Sequence, residues 1–268
     1  MYQFHSFYLD APIIPGRAFD VFMPEKVTQK TALFFVHGGG WTSGAKENYH
    51  KIMYAYCSRG YVCASAGYRL LQTNCKNTLS AVDQLGDVRE CYDGFVTFLK
   101  ERHLEPQIAV FGTSAGAHLA SLLVCAQPGD CGEKCTLANS WITPFCGLLQ
   151  STPASFEPWP ESYPAMWGMM ERAAGGKYQE EPEKFRNISL CRFINEKNPP
   201  LFFMEAGGEE LFPKHYNEAF LARHQAWQIP SKMKFYRYAE HGFFYDLTRP
   251  CQQEAFEDII AFIRELEN

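Results

Sequence analysis

The chain has 268 residues, 46% of them apolar and 15% aromatic, enough to bury one substantial core in a single domain. A formal net charge of −5 and a sequence pI near 5.9, without any local cluster of Lys and Arg, argue against a surface that tracks phosphates, so nucleic acid is not an expected partner. Met1-Tyr2-Gln3-Phe4-His5-Ser6 has neither a basic n-region nor an apolar h-region, and no later run of about eighteen apolar residues could span a bilayer. The expectation is a cytoplasmic chain with no membrane partner.

Tyr2 to Leu9 and Ala18 to Met23 read as two alternating strands around a Pro15-Gly16 turn. Leu33-Phe34-Phe35-Val36 reads as a buried strand, Asn48 to Ser58 as a helix, and Tyr61 to Ala66 as the next strand. From Leu79, the apolar positions Leu79, Val82, Leu85, Val88, Tyr92, Phe95, Val96 and Leu99 recur at three and four, which predicts an amphipathic helix. Asp83, Asp87, Arg89 and Lys100 are placed on its outer, solvated face.

Gln107 to Phe111 is expected as a strand, Ala115 to Ala126 as a helix, and Ser140 to Phe145 as a further strand. Beyond it, a proline- and aromatic-rich stretch with Phe156, Trp159, Tyr163, Trp167, Met169 and Met170 looks like a cap or lid at about 150–187, inserted in a single domain spanning 1–268. Its aromatics either form a small core of their own or wall a pocket. Leu201 to Ala206, Lys214 to Trp227 and Lys232 to Tyr238 restore strand, helix and strand, and a helix over Gln252 to Leu266 ends the chain. Alternating units with buried strands predict an α/β fold with a mostly parallel, doubly wound sheet and antiparallel N-terminal strands.

Two stretches carry chemistry. Gly112-Thr113-Ser114-Ala115-Gly116 joins a strand to a helix, and a turn that abrupt holds a serine hydroxyl out at the sheet edge only if its neighbours are small. The amide of Ala115, at the helix start, faces an anion beside Ser114. His37-Gly38-Gly39-Gly40-Trp41 follows a buried strand directly and has the pattern of an oxyanion-hole loop, in which glycines turn their amides towards a substrate. Of the ten cysteines, Cys57, Cys63, Cys91, Cys125 and Cys146 fall in apolar segments and are expected to pack as small hydrophobes; the spacing of Cys125, Cys131 and Cys135 does not suit zinc.

Together these segments resemble the α/β-hydrolase fold, and within it the esterases related to hormone-sensitive lipase and the bacterial feruloyl and acetylxylan esterases. Trp41-Thr42-Ser43-Gly44, Gly67-Tyr68-Arg69-Leu70, Asp87-Val88-Arg89 and Ser114-Ala115-Gly116-Ala117-His118-Leu119-Ala120 are similar to stretches of those enzymes. The resemblance covers nearly the whole chain and is weakest between Gln150 and Arg186. It implies a serine esterase with the chain order Ser, acid, His, a triad chemistry that calls for no metal and no cofactor.

A serine hydroxyl is a weak nucleophile and needs a base held by a third group. The resemblance places that base at His241, in Glu240-His241-Gly242-Phe243. His118, one turn after Ser114, is read as structural, and His37 as a brace for the glycine loop. The acid is expected in Gly207-Gly208-Glu209-Glu210-Leu211-Phe212, where the relatives' Gly-x-x-Asp or Gly-x-x-Glu selects Glu210, with Glu209 left open by one residue. Gly39, Gly40 and Ala115 are the expected oxyanion donors, and Trp41 is expected to touch substrate. The resemblance implies a short acyl ester, with an acetyl or feruloyl group on carbohydrate as the expected substrate. An amidase or arylformamidase could use the same triad, and a binding module could use the same fold.

Overall fold

The structure, a computed structural model, describes residues 2–72, 79–159, 164–209 and 211–268. Strands β1 (Tyr2–Tyr8), β2 (Ala18–Pro24), β3 (Ala32–Val36), β4 (Cys63–Ala66), β5 (Ile108–Thr113), β6 (Cys146–Gln150), β7 (Leu201–Ala206) and β8 (Lys232–Tyr236) form one sheet in the order β1-β2-β4-β3-β5-β6-β7-β8. β1 and β2 pair antiparallel, as do β2 and β4, and every pair from β4 to β8 is parallel. This is the α/β-hydrolase arrangement with the antiparallel edge expected from the sequence.

The parallel strands β3 to β7 are buried along their length and mostly apolar because both faces are covered, whereas the edge strand β8 carries Lys232 and Lys234. On one face Phe34, Val36, Ile108, Val110, Leu201 and Phe203 pack against α2 (Ala81–Glu101), α3 (Ala115–Cys125) and α6 (His215–Ala226). On the other, Leu33, Phe35, Ala109, Phe111, Phe202 and Met204 meet α1 (His50–Ser58) and α7 (Pro250–Glu267). Ser80 starts α2 with a capping box closed by Asp83.

Two sequence expectations are corrected here. Asp87 and Arg89, assigned to a solvated stripe of α2, are fully buried. Asp87 accepts from Arg17 and from the backbone and guanidinium of Arg69. Arg89 donates to Glu133 Oε1 (2.6 Å) and Ala126 O (2.9 Å) and lies over the Trp141 ring. Helix α2 is clasped from both flanks, by the N-terminal hairpin on one side and α3 with its following loop on the other, so charges there need partners rather than water. The strand expected at Ser140 to Phe145 lies instead at β6, Cys146–Gln150. Pro144 has no amide for a ladder, and pairing with β5 begins only at Cys146 opposite Ala109.

Between β6 and β7 lie α4 (Pro164–Ala174) and α5 (Pro182–Asn187). Phe156, Met166, Met170 and Phe185 of this segment belong to the same core as α2 and α3, and Trp167 stacks on Phe185 with Trp159 at its edge. Its described aromatics therefore extend the main core instead of forming a separate one; Tyr163 lies outside the described residues. The nine described cysteines are free thiols, among them Cys57, Cys63, Cys91, Cys125 and Cys146, all buried as expected; Cys75 lies outside the described residues. Among the described residues no helix is long and apolar enough to cross a membrane.

Candidate active site

The segments that carry the chemistry converge at the carboxyl ends of β3, β5, β7 and β8, where helix-flanked parallel sheets place their binding crevices. Ser114 sits between β5 and α3 at φ 54°, ψ −124°, a conformation a non-glycine residue keeps only when its surroundings enforce it. They do. A Cβ on Gly112 would stand 2.3 Å from Gly116 O, and one on Gly116 would stand 2.2 Å from Val36 O, so neither position tolerates a side chain. The Ser114 amide donates to Gln150 O at the end of β6 (3.0 Å).

His241 reaches the serine from the loop after β8, and Gly242 beside it turns at φ 70°. His241 Nε2 lies 2.8 Å from Ser114 Oγ, and Nδ1 lies 2.7 Å from Glu209 Oε2. With the proton on Nδ1 donated to Glu209, Nε2 is left to accept from the serine; this tautomer follows from the hydrogen bonds.

The carboxylate on His241 is Glu209, one residue before the Glu210 that spacing had favoured; Glu210 lies outside the described residues. The reason is the tightness of the turn. Glu209 N donates to Ala206 O and Gly208 N to Ala239 O, both 3.1 Å, so the chain reverses within three residues of β7 and brings Glu209 over His241. The second carboxylate oxygen accepts from Leu211 N (2.8 Å). Burial alone would raise the Glu209 carboxyl, but the bond and charge of His241 and the Leu211 amide outweigh it and hold it below the usual carboxylate range.

The glycine loop runs beside the serine. Gly39 and Gly40 adopt φ 118° and 56°, and Gly39 O is fixed by Ser43 N (3.0 Å) and Ser43 Oγ (2.9 Å). Among the described residues the amides of Gly39, Gly40 and Ala115 donate to no protein acceptor. His37 braces the loop as expected: its ring stacks on Tyr68 at 4.1 Å, Nδ1 donates to Gly38 O (2.8 Å), and Tyr68 Oη donates to His37 O (2.8 Å). Burial pushes this imidazole down to about 4, so it stays neutral.

The profile of the BD-FAE family matches residues 19–223, which takes in the glycine loop, the serine turn and the acid turn. The chain belongs to the BD-FAE family. This membership accords with the α/β-hydrolase architecture of the chain. It is 25% identical over 198 residues to the probable carboxylic ester hydrolase LipM of Mycobacterium tuberculosis, over 70% of this chain and 43% of that protein. Its identity to esterase LipQ of the same organism is 26% over 204 residues, 71% and 44% of the two chains. It thus spans less than half the length of these curated relatives. In fold it is similar to esterase B from Lactobacillus rhamnosis, with a TM-score of 0.76 at 19% identity over 99% of this chain and 86% of that one. Thermogutta terrifontis esterase 2 phosphonylated by sarin gives 0.72 at 17% identity, over 93% and 90%.

Trp41 of the BD-FAE chain departs from expectation. Its side chain is 1% exposed, packs edge-on to Phe156, and donates its indole N–H to His118 Nδ1 (3.2 Å), so it bolts the glycine loop to the core and does not wall an open pocket. A large aromatic after the glycines can serve as pocket wall or as bolt; here it is buried, with its backbone at φ 62°. His118 is structural, as expected: Nε2 donates to Ile188 O (2.7 Å), both ring nitrogens are occupied, and burial pushes it down to about 4.

Two further residues border the site: Tyr245, which carried no sequence signal, and Met169, read in the sequence only as part of the cap-like stretch. Tyr245 Oη accepts from Gly38 N (3.3 Å), and a Cβ on Gly40 would lie 2.9 Å from Met169 Sδ, which places α4 against the glycine loop.

Proposed function

We propose that this BD-FAE member is a serine carboxylic ester hydrolase for short acyl esters, with Ser114 as nucleophile, His241 as general base and acid, and Glu209 as the orienting carboxylate. One observation carries it: the continuous hydrogen-bonded chain from Glu209 through His241 to Ser114, at 2.7 and 2.8 Å. His241 Nε2 takes the hydroxyl proton as Ser114 Oγ attacks the ester carbonyl, and the ionised Glu209 stabilises the imidazolium that forms. The amides of Gly39, Gly40 and Ala115 receive the tetrahedral oxyanion. His241 then returns the proton to the leaving alkoxide, an alcohol departs, and water, deprotonated by the same imidazole, hydrolyses the acyl-enzyme to the acid and free serine.

The acyl side is small in this reading. The segment at about 150–187 serves as a cap, and Met169 beside Gly40 limits the space over the oxyanion loop. Esterase B is described with a C4-C4 tributyrin phosphonate and Thermogutta terrifontis esterase 2 with propionate and with butyrate bound, which supports short chains here. Family membership, together with the likeness to feruloyl and acetylxylan esterases, supports an acetyl or feruloyl group on carbohydrate as the natural ester.

The test is a panel of acetylated, feruloylated and plain alkyl esters set beside N-formylkynurenine, with a fluorophosphonate probe on the native protein. Labelling with preferred turnover of esters is the expected result. Preferred turnover of N-formylkynurenine would make it an arylformamidase, and absence of labelling would make it a binding module.

A further inference from the structure

A second carboxyl, which the mechanism above does not use, lies behind Glu209. Glu205 is the penultimate residue of β7 and is 2% exposed. Gln150 pairs with Met204 in the parallel register of β6 and β7, so the next residues, Ser151 and Glu205, share the face that α6 covers. Asn217 of α6, also 2% exposed, donates through one amide nitrogen to Glu205 Oε1 (2.9 Å) and to Thr152 O (3.2 Å). Asn217 Oδ1 and Thr152 Oγ1 are buried and have no hydrogen-bond partner among the described residues.

This junction joins the supports of two catalytic groups. Gln150 O holds the Ser114 amide, Ser151 N donates to Met204 O (3.2 Å), and only three residues separate Glu205 from Glu209. We propose that Glu205 is a positioning residue for the triad: through Asn217 it ties the end of β7, and with it the turn that carries Glu209, to the segment after β6. The proposal rests on the reading of Glu209, His241 and Ser114 as the catalytic triad.

The charge of Glu205 is coupled to the same groups. The ionisable residues that face it are Glu209 and His241 from the site loops and Glu218 from α6. Burial is the main influence on its carboxyl; Asn217 and His241 oppose it, Glu209 and Glu218 add to it, and the result is pushed up to about 7. Below that pH a neutral acid supplies a donor to a junction with open acceptors. Above it, a negative charge develops beside Glu209 and faces the imidazolium that forms on His241 during the reaction.

The test is kcat and KM for p-nitrophenyl butyrate between pH 5 and 9 in wild type, Glu205→Gln and Glu205→Ala, with folding checked by circular dichroism. Wild-type hydrolysis and its loss in Glu209→Gln are established first; failure of either overturns the triad reading and not this one alone. Glu205→Gln keeps an acceptor for Asn217 but cannot ionise, and the rise of kcat/KM with pH should move down by about half a unit or more. Glu205→Ala should lose roughly tenfold in kcat with KM within about twofold, the mark of a displaced catalytic group. A rise of kcat/KM that does not move in Glu205→Gln overturns the proposal, as does wild-type kcat in a folded Glu205→Ala. If the alanine variant does not fold, the isosteric glutamine decides by itself.

Discussion

Replacing Glu209 by Gln should nearly abolish ester hydrolysis although it changes one atom. Glu209 Oε1 accepts from Leu211 N–H at 2.8 Å, and a glutamine keeps that bond only by placing its carbonyl oxygen there. Its NH2 then faces His241 Nδ1, where the carboxylate oxygen stood at 2.7 Å. A donor at that position requires Nδ1 to be an acceptor, so the imidazole proton moves to Nε2 and the nitrogen beside Ser114 can no longer take the hydroxyl proton. The imidazolium also loses its counter-charge in a site where the glutamate side chain is only 7% exposed. The two losses together should lower kcat by about a thousand- to ten-thousandfold, or roughly 4 to 5.5 kcal/mol in the barrier. Glu210→Gln should stay within about twofold of wild type. The assay is the initial rate of p-nitrophenyl butyrate hydrolysis by purified variants at pH 8, with thermal melts to confirm folding. A folded Glu209→Gln that keeps a tenth of the wild-type kcat refutes the reasoning.

Ser114→Ala should lose about three orders of magnitude or more in kcat, with no fluorophosphonate labelling and an unchanged circular dichroism spectrum. kcat/KM for p-nitrophenyl esters should be highest for short chains and fall steeply beyond about four to six carbons, since each clash or lost contact costs about 1 to 3 kcal/mol; a maximum at twelve carbons contradicts the proposed cap. Glu205 also predicts a stability profile. Its carboxyl rises from 4.5 to about 7 on folding, so it costs nothing below the lower value and progressively more as pH climbs through that window. Glu205→Gln should therefore gain stability over wild type between pH 5 and pH 8, by up to about 3 kcal/mol, read as a widening Tm difference.

Much of the fold was legible because local chemistry and tertiary environment agree. β7 was read at Leu201 to Ala206 and found there, since a strand that opens with four apolar residues between Pro200 and Gly207 has one comfortable arrangement in a doubly wound sheet. The serine turn was legible for a stronger reason: Gly112 and Gly116 are required by contacts of 2.3 and 2.2 Å, so the sequence records the geometry directly. Where the reading failed, a residue's type allowed two environments. Arg89 and Asp87 have the spacing of a solvated stripe, but their partners Glu133, Arg17 and Arg69 come from loops and strands whose proximity no helical period reports. Trp41 likewise could line a pocket or fill a core, and its choice depends on His118 and Phe156, both more than seventy residues away.

The register of the acid shows the limit most sharply, because Glu209 and Glu210 are chemically identical and adjacent. A serine between strand and helix has its direction set by the elbow, but an acid on a loop has its direction set by how soon the strand ends. Here β7 stops at Ala206, and Gly207 N is captured by Tyr236 O at 2.9 Å. A Cβ on Gly207 would stand 2.6 Å from Arg237 O, so the turn is pressed against the end of β8 and must begin at that glycine. With the reversal fixed there, the third residue of the turn is the one that meets the loop bearing His241. The two glycines thus act as a ruler whose zero is the β7–β8 contact, and that contact is between strands thirty residues apart in sequence. Counting from Gly207 towards a familiar spacing cannot find it, whereas counting from the last paired residue of the strand does.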